Sequence, residues 1–194
     1  ILGTGVTAAQ FAKSISYVEN SELVAVGSRS VSTACSFSEK YNIPNCFSSY
    51  EELVKSPDID IIYIATPHNL HKENMLLALK NGKHILCEKP FTVNYQEARE
   101  VISFAKKRRL FIMEAMWTFF LPSFSKLREL INSKMIGELK NISGTCGFNA
   151  KRDKRQRYFD PELAGGALLD MGVYPVALAN MFFGEPREIE GSAQ

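Results

Sequence analysis

At 194 residues and 45% hydrophobic, the chain can bury one full core and part of a second, since domains usually hold about 100 to 200 residues. A net charge of +2 is too small to call for nucleic acid or an anionic membrane, so a small molecule is the expected partner. The 4 cysteines, Cys35, Cys46, Cys87 and Cys146, form no C-x-x-C pair and read as reduced thiols rather than a disulfide framework or a metal site.

No apolar run approaches the roughly 18 residues of a membrane span and no signal peptide is present, so a cytoplasmic protein is expected. The chain starts inside what reads as a strand, Ile1-Leu2, and stops at Gln194, which suggests a fragment.

Leu2 leads into Gly3-Thr4-Gly5-Val6-Thr7-Ala8, a G-x-G-x-x-A string, and Ala8, Phe11, Ala12, Ile15 and Val18 then fall on one helical face. Strand, glycine turn and helix in that order let a pyrophosphate sit on a helix N-terminus, although the string alone fits a simple turn equally well. A second buried strand, Leu23-Val24-Ala25-Val26-Gly27, ends in Ser28-Arg29-Ser30. No acid stands there to hold the ribose hydroxyls of NAD. A hydroxyl and a guanidinium suit a 2′-phosphate instead, against the plainer reading of Arg29 as a surface side chain. NADP is therefore expected over NAD.

Val31 to Tyr41 reads as a helix broken at Ile43-Pro44, and Ser49 with Glu52 as a capping box opening a short helix. Ile59 to Ala65 is the clearest buried strand. It ends in Thr66-Pro67-His68-Asn69-Leu70-His71, ahead of a helix from Lys72 to Lys80 that Gly82 closes.

Ile85 to Cys87 is the next strand, ending in Glu88-Lys89-Pro90. In an open parallel sheet ligands bind beyond the carboxyl ends of the strands, which aims Lys89 at the cleft and makes it the leading catalytic candidate. The plain alternative is a solvated charge pair in a turn. Asn94 and Glu97 cap a helix with Ala98, Val101, Ile102 and Ala105 inward, and the basic run Lys106 to Arg109 answers its dipole. Leu110 to Ala115 completes a βαβαβ alternation, hence a doubly wound parallel sheet.

Beyond a boundary near residue 120, an amphipathic helix is expected from Ser123 to Ser133 with Phe124, Leu127, Leu130 and Ile131 inward. Leu139 to Phe148 alternates as a strand, and Lys151 to Arg157 is a basic run read as a solvated loop. If Ala164 to Tyr174 is helical, Asp170 and Tyr174 share a face at i and i+4, with Pro175 as a complication.

Four pieces in this order resemble the Gfo/Idh/MocA oxidoreductases: Gly3-x-Gly5-x-x-Ala8, Ala65-Thr66-Pro67-x-x-x-His71, Gly82-Lys83-His84-x-x-x-Glu88-Lys89-Pro90 and Gly165-Gly166-Ala167-Leu168-Leu169-Asp170. Glu114-Ala115-Met116-Trp117-Thr118 and Asp170-x-x-x-Tyr174 look most like the dihydrodiol and D-xylose dehydrogenase branch. The resemblance implies an α/β fold: a Rossmann domain over residues 1–120, then the start of an α/β domain over 121–194 whose open antiparallel sheet supports a homodimer. It implies NADP held by Gly3, Thr4, Gly5, Val6, Thr7, Ser28, Arg29, Thr66, Pro67, His71, Glu88 and Lys89. Lys89 and Tyr174 would carry the acid/base work, Asp170 would orient, and Trp117 and Phe148 would wall a pocket for a diol or sugar.

No metal is expected. Phe119 stands where that branch usually has Arg, and Tyr174 where many family members have His. A tyrosine titrates at about pH 10 in water, and a nearby ammonium lowers that value, so Tyr174 could take a hydroxyl proton as the substrate carbon gives hydride to nicotinamide. The alternative is a dinucleotide-binding regulator without turnover, which has no need of such a pair.

Overall fold

Short apolar runs that end in glycine or small polar residues supply the strands. They are β1 (Ala25–Gly27), β2 (Asn45–Phe47), β3 (Ile61–Ile64), β4 (His84–Cys87) and β5 (Ile112–Glu114), all paired in parallel. The structure, a computed structural model, describes residues 1–150 and 158–192, so the basic run Lys151 to Arg157 lies outside the described residues.

Leu2 is fully buried and bridges Gly27 on one side and Ile64 on the other, giving the spatial order β2, β1, Leu2, β3, β4, β5. The order reverses at Leu2, the switch point where open α/β sheets bind ligands.

Helices α1 (Val6–Ser14), α2 (Val31–Tyr41), α3 (Tyr50–Lys55), α4 (His71–Lys80) and α5 (Tyr95–Arg108) connect the strands. One apolar cluster joins Val26 and Tyr63 to Ala8, Ala12 and Phe37 from α1 and α2. A second joins Ile62, Ile64 and Ile85 to residues of α3, α4 and α5, including Leu53, Leu79 and Val101. Helices thus cover both faces, as a doubly wound sheet requires. Caps fix the helix starts: Ser49 Oγ accepts the Glu52 N–H at 3.1 Å, and Asn94 Oδ1 accepts that of Glu97 at 2.9 Å.

Some expectations give way. β2 was not expected, since its residues are only partly covered and carry no alternation. Cys35 of α2 and Cys46 of β2 are joined as a disulfide, with Cα atoms 5.2 Å apart, rather than both reduced. The pairing arises because α2 and β2 follow one another and pack together, a proximity that no short cysteine motif announces. Cys87 is a buried free thiol and Cys146 an exposed one.

The chain divides into two compact units, Ile1–Ala115 with Glu162–Ala164, and Met116–Pro161 with Gly165–Gln194. The second contains α6 (Pro122–Asn132) and α7 (Val173–Phe183). In α6, Phe124 meets Phe119 and Phe182 at ring centroids 5.1 and 6.2 Å away, while Leu127 stays exposed rather than inward. Among the described residues this unit has no strand, so Leu139 to Phe148 is irregular chain and not the strand expected. Alternation alone does not make a strand, because its backbone donors and acceptors need a neighbouring strand.

A window of 18 residues within Pro161–Phe183 has a mean hydropathy of 1.3, enough by length and composition alone to cross a membrane, contrary to expectation. Asp170, 6% exposed within it, is a residue that lipid-facing surfaces exclude. Leu168–Gly172 forms a π turn just ahead of α7. Pro175 accounts for it: its nitrogen cannot donate to the carbonyl four residues back and its ring crowds that oxygen, so the ladder widens there.

Candidate active site

In the first unit, the residues at the switch point follow from backbone needs. Gly3 has φ +98, and a Cβ there would meet the Ala65 carbonyl oxygen at 2.6 Å, so the turn itself demands glycine. Gly5 is different: its φ of −78 suits any residue, and a Cβ would meet nothing within 4 Å. The fold itself does not require glycine there, and open space over a backbone is what an approaching phosphate needs.

Val6 is exposed and Thr4 and Thr7 partly buried beside this turn. Helix α1 starts without a side-chain cap and without an acid in its first turn, leaving its positive end to an anion. These residues fit a dinucleotide pyrophosphate.

Ser28 leaves β1 buried, and its Oγ accepts the Ser30 N–H at 3.5 Å; Arg29 beside it is exposed. The first turn of α2 holds no acid. Burial raises the Tyr50 phenol above its usual range and the Arg29 charge pulls it back, so the guanidinium lies near the start of α3. Thr66, at the end of β3, is buried with Oγ1 accepting from Asn74 Nδ2 at 3.0 Å, and Pro67 follows it.

His71 differs from expectation. Its ring is fully buried, with Nδ1 2.8 Å from the Pro90 carbonyl and Nε2 2.9 Å from that of Thr66. It ties two loops together and offers no surface to a cofactor. Only the doubly protonated ring donates to both carbonyls; a neutral imidazole has a single N–H.

Glu88 and Lys89 follow β4. Tyr63 Oη donates to Glu88 Oε1. Burial pushes the Glu88 carboxyl above the usual carboxylate range, while the Tyr63 bond, the Lys89 backbone N–H and the Lys89 charge pull it down. Glu114, ending β5, accepts the Phe91 N–H at 2.8 Å, and burial lifts its carboxyl as well. The adjacent Cys87 thiol is buried and pushed far up, so it is inert as a nucleophile.

In the second unit, Trp117 Nε1 donates to Tyr174 Oη at 3.1 Å, and the two rings meet edge to face with centroids 6.3 Å apart. Phe148 packs edge-on against Tyr158 at 5.3 Å. Phe148, Asn149, Tyr158, Asp170 and Met171 share the wall of a concavity of about 340 Å³, which Trp117 and Tyr174 do not line. The structure therefore groups Trp117 with Tyr174, and Phe148 with Asp170. Because the π turn intervenes, Asp170 and Tyr174 do not keep the i, i+4 relation of a regular helix. Among the described residues no group of three His, Cys, Asp or Glu could hold a metal ion.

Residues 1–116 match the model of the oxidoreductase family with NAD-binding Rossmann fold, and residues 124–194 match the GFO/IDH/MocA C-terminal domain. The chain belongs to the Gfo/Idh/MocA oxidoreductase family. Its relatives include trans-1,2-dihydrobenzene-1,2-diol dehydrogenase of Xenopus tropicalis, 42% identical over 86% of this chain and 50% of that protein. Another is scyllo-inositol 2-dehydrogenase (NADP(+)) IolU of Bacillus subtilis, 37% identical over 99% of this chain and 60% of that protein. Among solved structures, a 3-ketoreductase from Actinomadura kijaniata in complex with NADP and TDP-benzene superposes with a TM-score of 0.87, at 29% identity over 94% of this chain and 56% of its own. The chain spans about half the length of the curated relatives it matches.

Within this Gfo/Idh/MocA chain, sequence reading passed over Tyr63, Asn74 and Glu114. Tyr63 reads as a core aromatic and Asn74 as a helix surface residue. Glu114 stood in a family motif, with nothing to say which atom it would meet.

Proposed function

We propose that the chain supplies the cofactor-binding part and the acid/base groups of an NADP-dependent dehydrogenase oxidising a hydroxyl of a small polyol, a trans-dihydrodiol or the C1 hydroxyl of a pentose such as D-xylose. The observation that carries the proposal is the gathering of Gly3, Gly5, Ser28, Thr66, Glu88 and Lys89 at strand ends around the switch point of one parallel sheet.

NADP over NAD is supported by Ser28 and Arg29 at a helix start without an acid, by the NADP in the name of the Bacillus relative, and by the NADP bound to the 3-ketoreductase. The substrate class is supported by the names of the two relatives: a six-membered ring with adjacent hydroxyls is common to both compounds.

When bound, the nicotinamide supplies the hydride acceptor. Tyr174 Oη takes the proton of the substrate hydroxyl, and the Trp117 N–H donates to that oxygen and holds it in place. Lys89 is the other half of the proposed acid/base pair, Asp170 orients the substrate or the tyrosine, and Trp117 beside Tyr174 and Phe148 beside Asp170 supply apolar walls. A homodimer formed through the C-terminal domain and a cytoplasmic location belong to the same proposal.

The test incubates the protein with NADP and a panel of cyclic diols and aldoses while following nicotinamide absorbance. Lys89→Met should lower kcat by about 100-fold or more; a variant turning over at the unaltered rate overturns the assigned role. Tight NADP binding with no turnover of any panel member would favour the regulator instead. Arg29→Ala should weaken NADP about tenfold and leave NAD unchanged, and equal losses for both would overturn the preference.

A further inference from the structure

Lys89 is presented by the turn Glu88-Lys89-Pro90-Phe91, which is held from three separate elements. Tyr63 of β3 donates to Glu88, His71 of α4 sets Nδ1 2.8 Å from the Pro90 carbonyl, and the Phe91 N–H donates to Glu114 Oε1 at 2.8 Å. The register of β4 and β5 aligns Glu114 with Cys87, and the Ala115 N–H donates to the Cys87 carbonyl at 2.7 Å. The acid is therefore fixed beside the root of the turn.

We propose that Glu114 is a positioning residue for Lys89: its carboxylate clasps the turn through the Phe91 N–H and sets a negative charge facing the Lys89 ammonium. The proposal rests on the reading of Lys89 as half of the acid/base pair. Satisfying one N–H does not require a charge, since the amide oxygen of glutamine accepts as well and avoids desolvating a carboxylate. A half-buried carboxyl keeps its negative charge more readily beside a cation, and Lys89 acts on Glu114 in that direction.

Burial pushes the Glu114 carboxyl up, the Phe91 N–H draws it down, Glu88 raises it and Lys89 lowers it. Lys89 likewise lowers Glu88. Lys89 thus acts by charge on the two carboxyls at these neighbouring strand ends, and the Glu114 carboxyl also ties the turn that carries Lys89.

The test compares Glu114→Gln and Glu114→Ala in the ligand-free protein by amide exchange at Phe91 and by mass-spectrometric acetylation of Lys89 at mildly alkaline pH. Glu114→Gln should leave Phe91 exchange unchanged, because the amide oxygen still accepts, and acetylate Lys89 about threefold faster or more, because the charge that holds its side chain in place is gone. Glu114→Ala should speed Phe91 exchange about tenfold or more. Unaltered Lys89 acetylation in the glutamine variant, or unaltered Phe91 exchange in the alanine variant, overturns the proposal.

Neither readout involves turnover, so a Lys89→Met protein of full activity would overturn the proposed function without moving either measurement. A protein active only with Lys89 intact, yet indifferent to Glu114 in both assays, would do the reverse.

Discussion

Glu88 and Glu114 end neighbouring strands half-buried, and burial lifts both carboxyls above the usual carboxylate range. The folded chain holds protons on them more tightly than the unfolded chain, whose glutamates titrate at about pH 4.3. Their contribution to stability is therefore fully present below that pH and is lost as pH rises through the raised folded values. Denaturant midpoints followed from acid to neutral pH should show the loss, and Glu114→Gln should flatten the part of the slope that the pair causes. A slope identical in the variant would remove Glu114 from the account. Sequence reading placed Glu88 at a strand end from the apolar run before it. It could not pair Glu88 with Tyr63 or Glu114, because those meetings depend on the registers of β3 against β4 and β4 against β5.

The glycine turn shows how far an element can be read from local chemistry. Gly3 and Gly5 look alike in the G-x-G-x-x-A string, yet the backbone demands glycine at one and not at the other. Gly3→Ala would combine φ +98 with a Cβ 2.6 Å from the Ala65 oxygen, and should cost about 2 kcal/mol or more of stability by denaturant unfolding. Gly5→Ala should leave stability within about 0.5 kcal/mol and weaken NADP binding about tenfold or more by crowding the pyrophosphate. A stable Gly5→Ala protein that still binds NADP at full strength would mean that no phosphate approaches this turn.

The strands β1, β3, β4 and β5 and the caps Ser49 and Asn94 were legible for a similar reason: each is written in a few consecutive residues. β2, the Cys35 to Cys46 bond and the irregular Leu139 to Phe148 segment were not, because each depends on which neighbour the chain meets. Pro175 lies between these cases, since the sequence shows that a helix is disturbed there but not that the answer is a π turn.

For the whole molecule, burial is distributed unevenly. Among the described residues, every buried hydrophobic side chain except Met116 belongs to the first unit. The second unit exposes Phe120 at 69%, Met135 at 71% and Leu168 at 75%, although the family's C-terminal domain model matches it from residue 124 to 194. Local opening is least costly where few apolar contacts must be broken, so the second unit should open first and most often. Limited proteolysis with a protease of broad specificity should cut there early and leave a resistant fragment ending near Ala115. A ligand that binds only the folded first unit protects that fragment further: NADP at a hundred times its Kd adds about 2.7 kcal/mol, and under fast opening and closing its cleavage should slow by about a hundredfold. Bonds beyond residue 116 should be cut at a rate that NADP changes far less. Cleavage within residues 1–115 as fast as beyond them would show that the parallel sheet is not the stable part of this chain, and a fragment that NADP leaves unprotected would show that it is not the dinucleotide site.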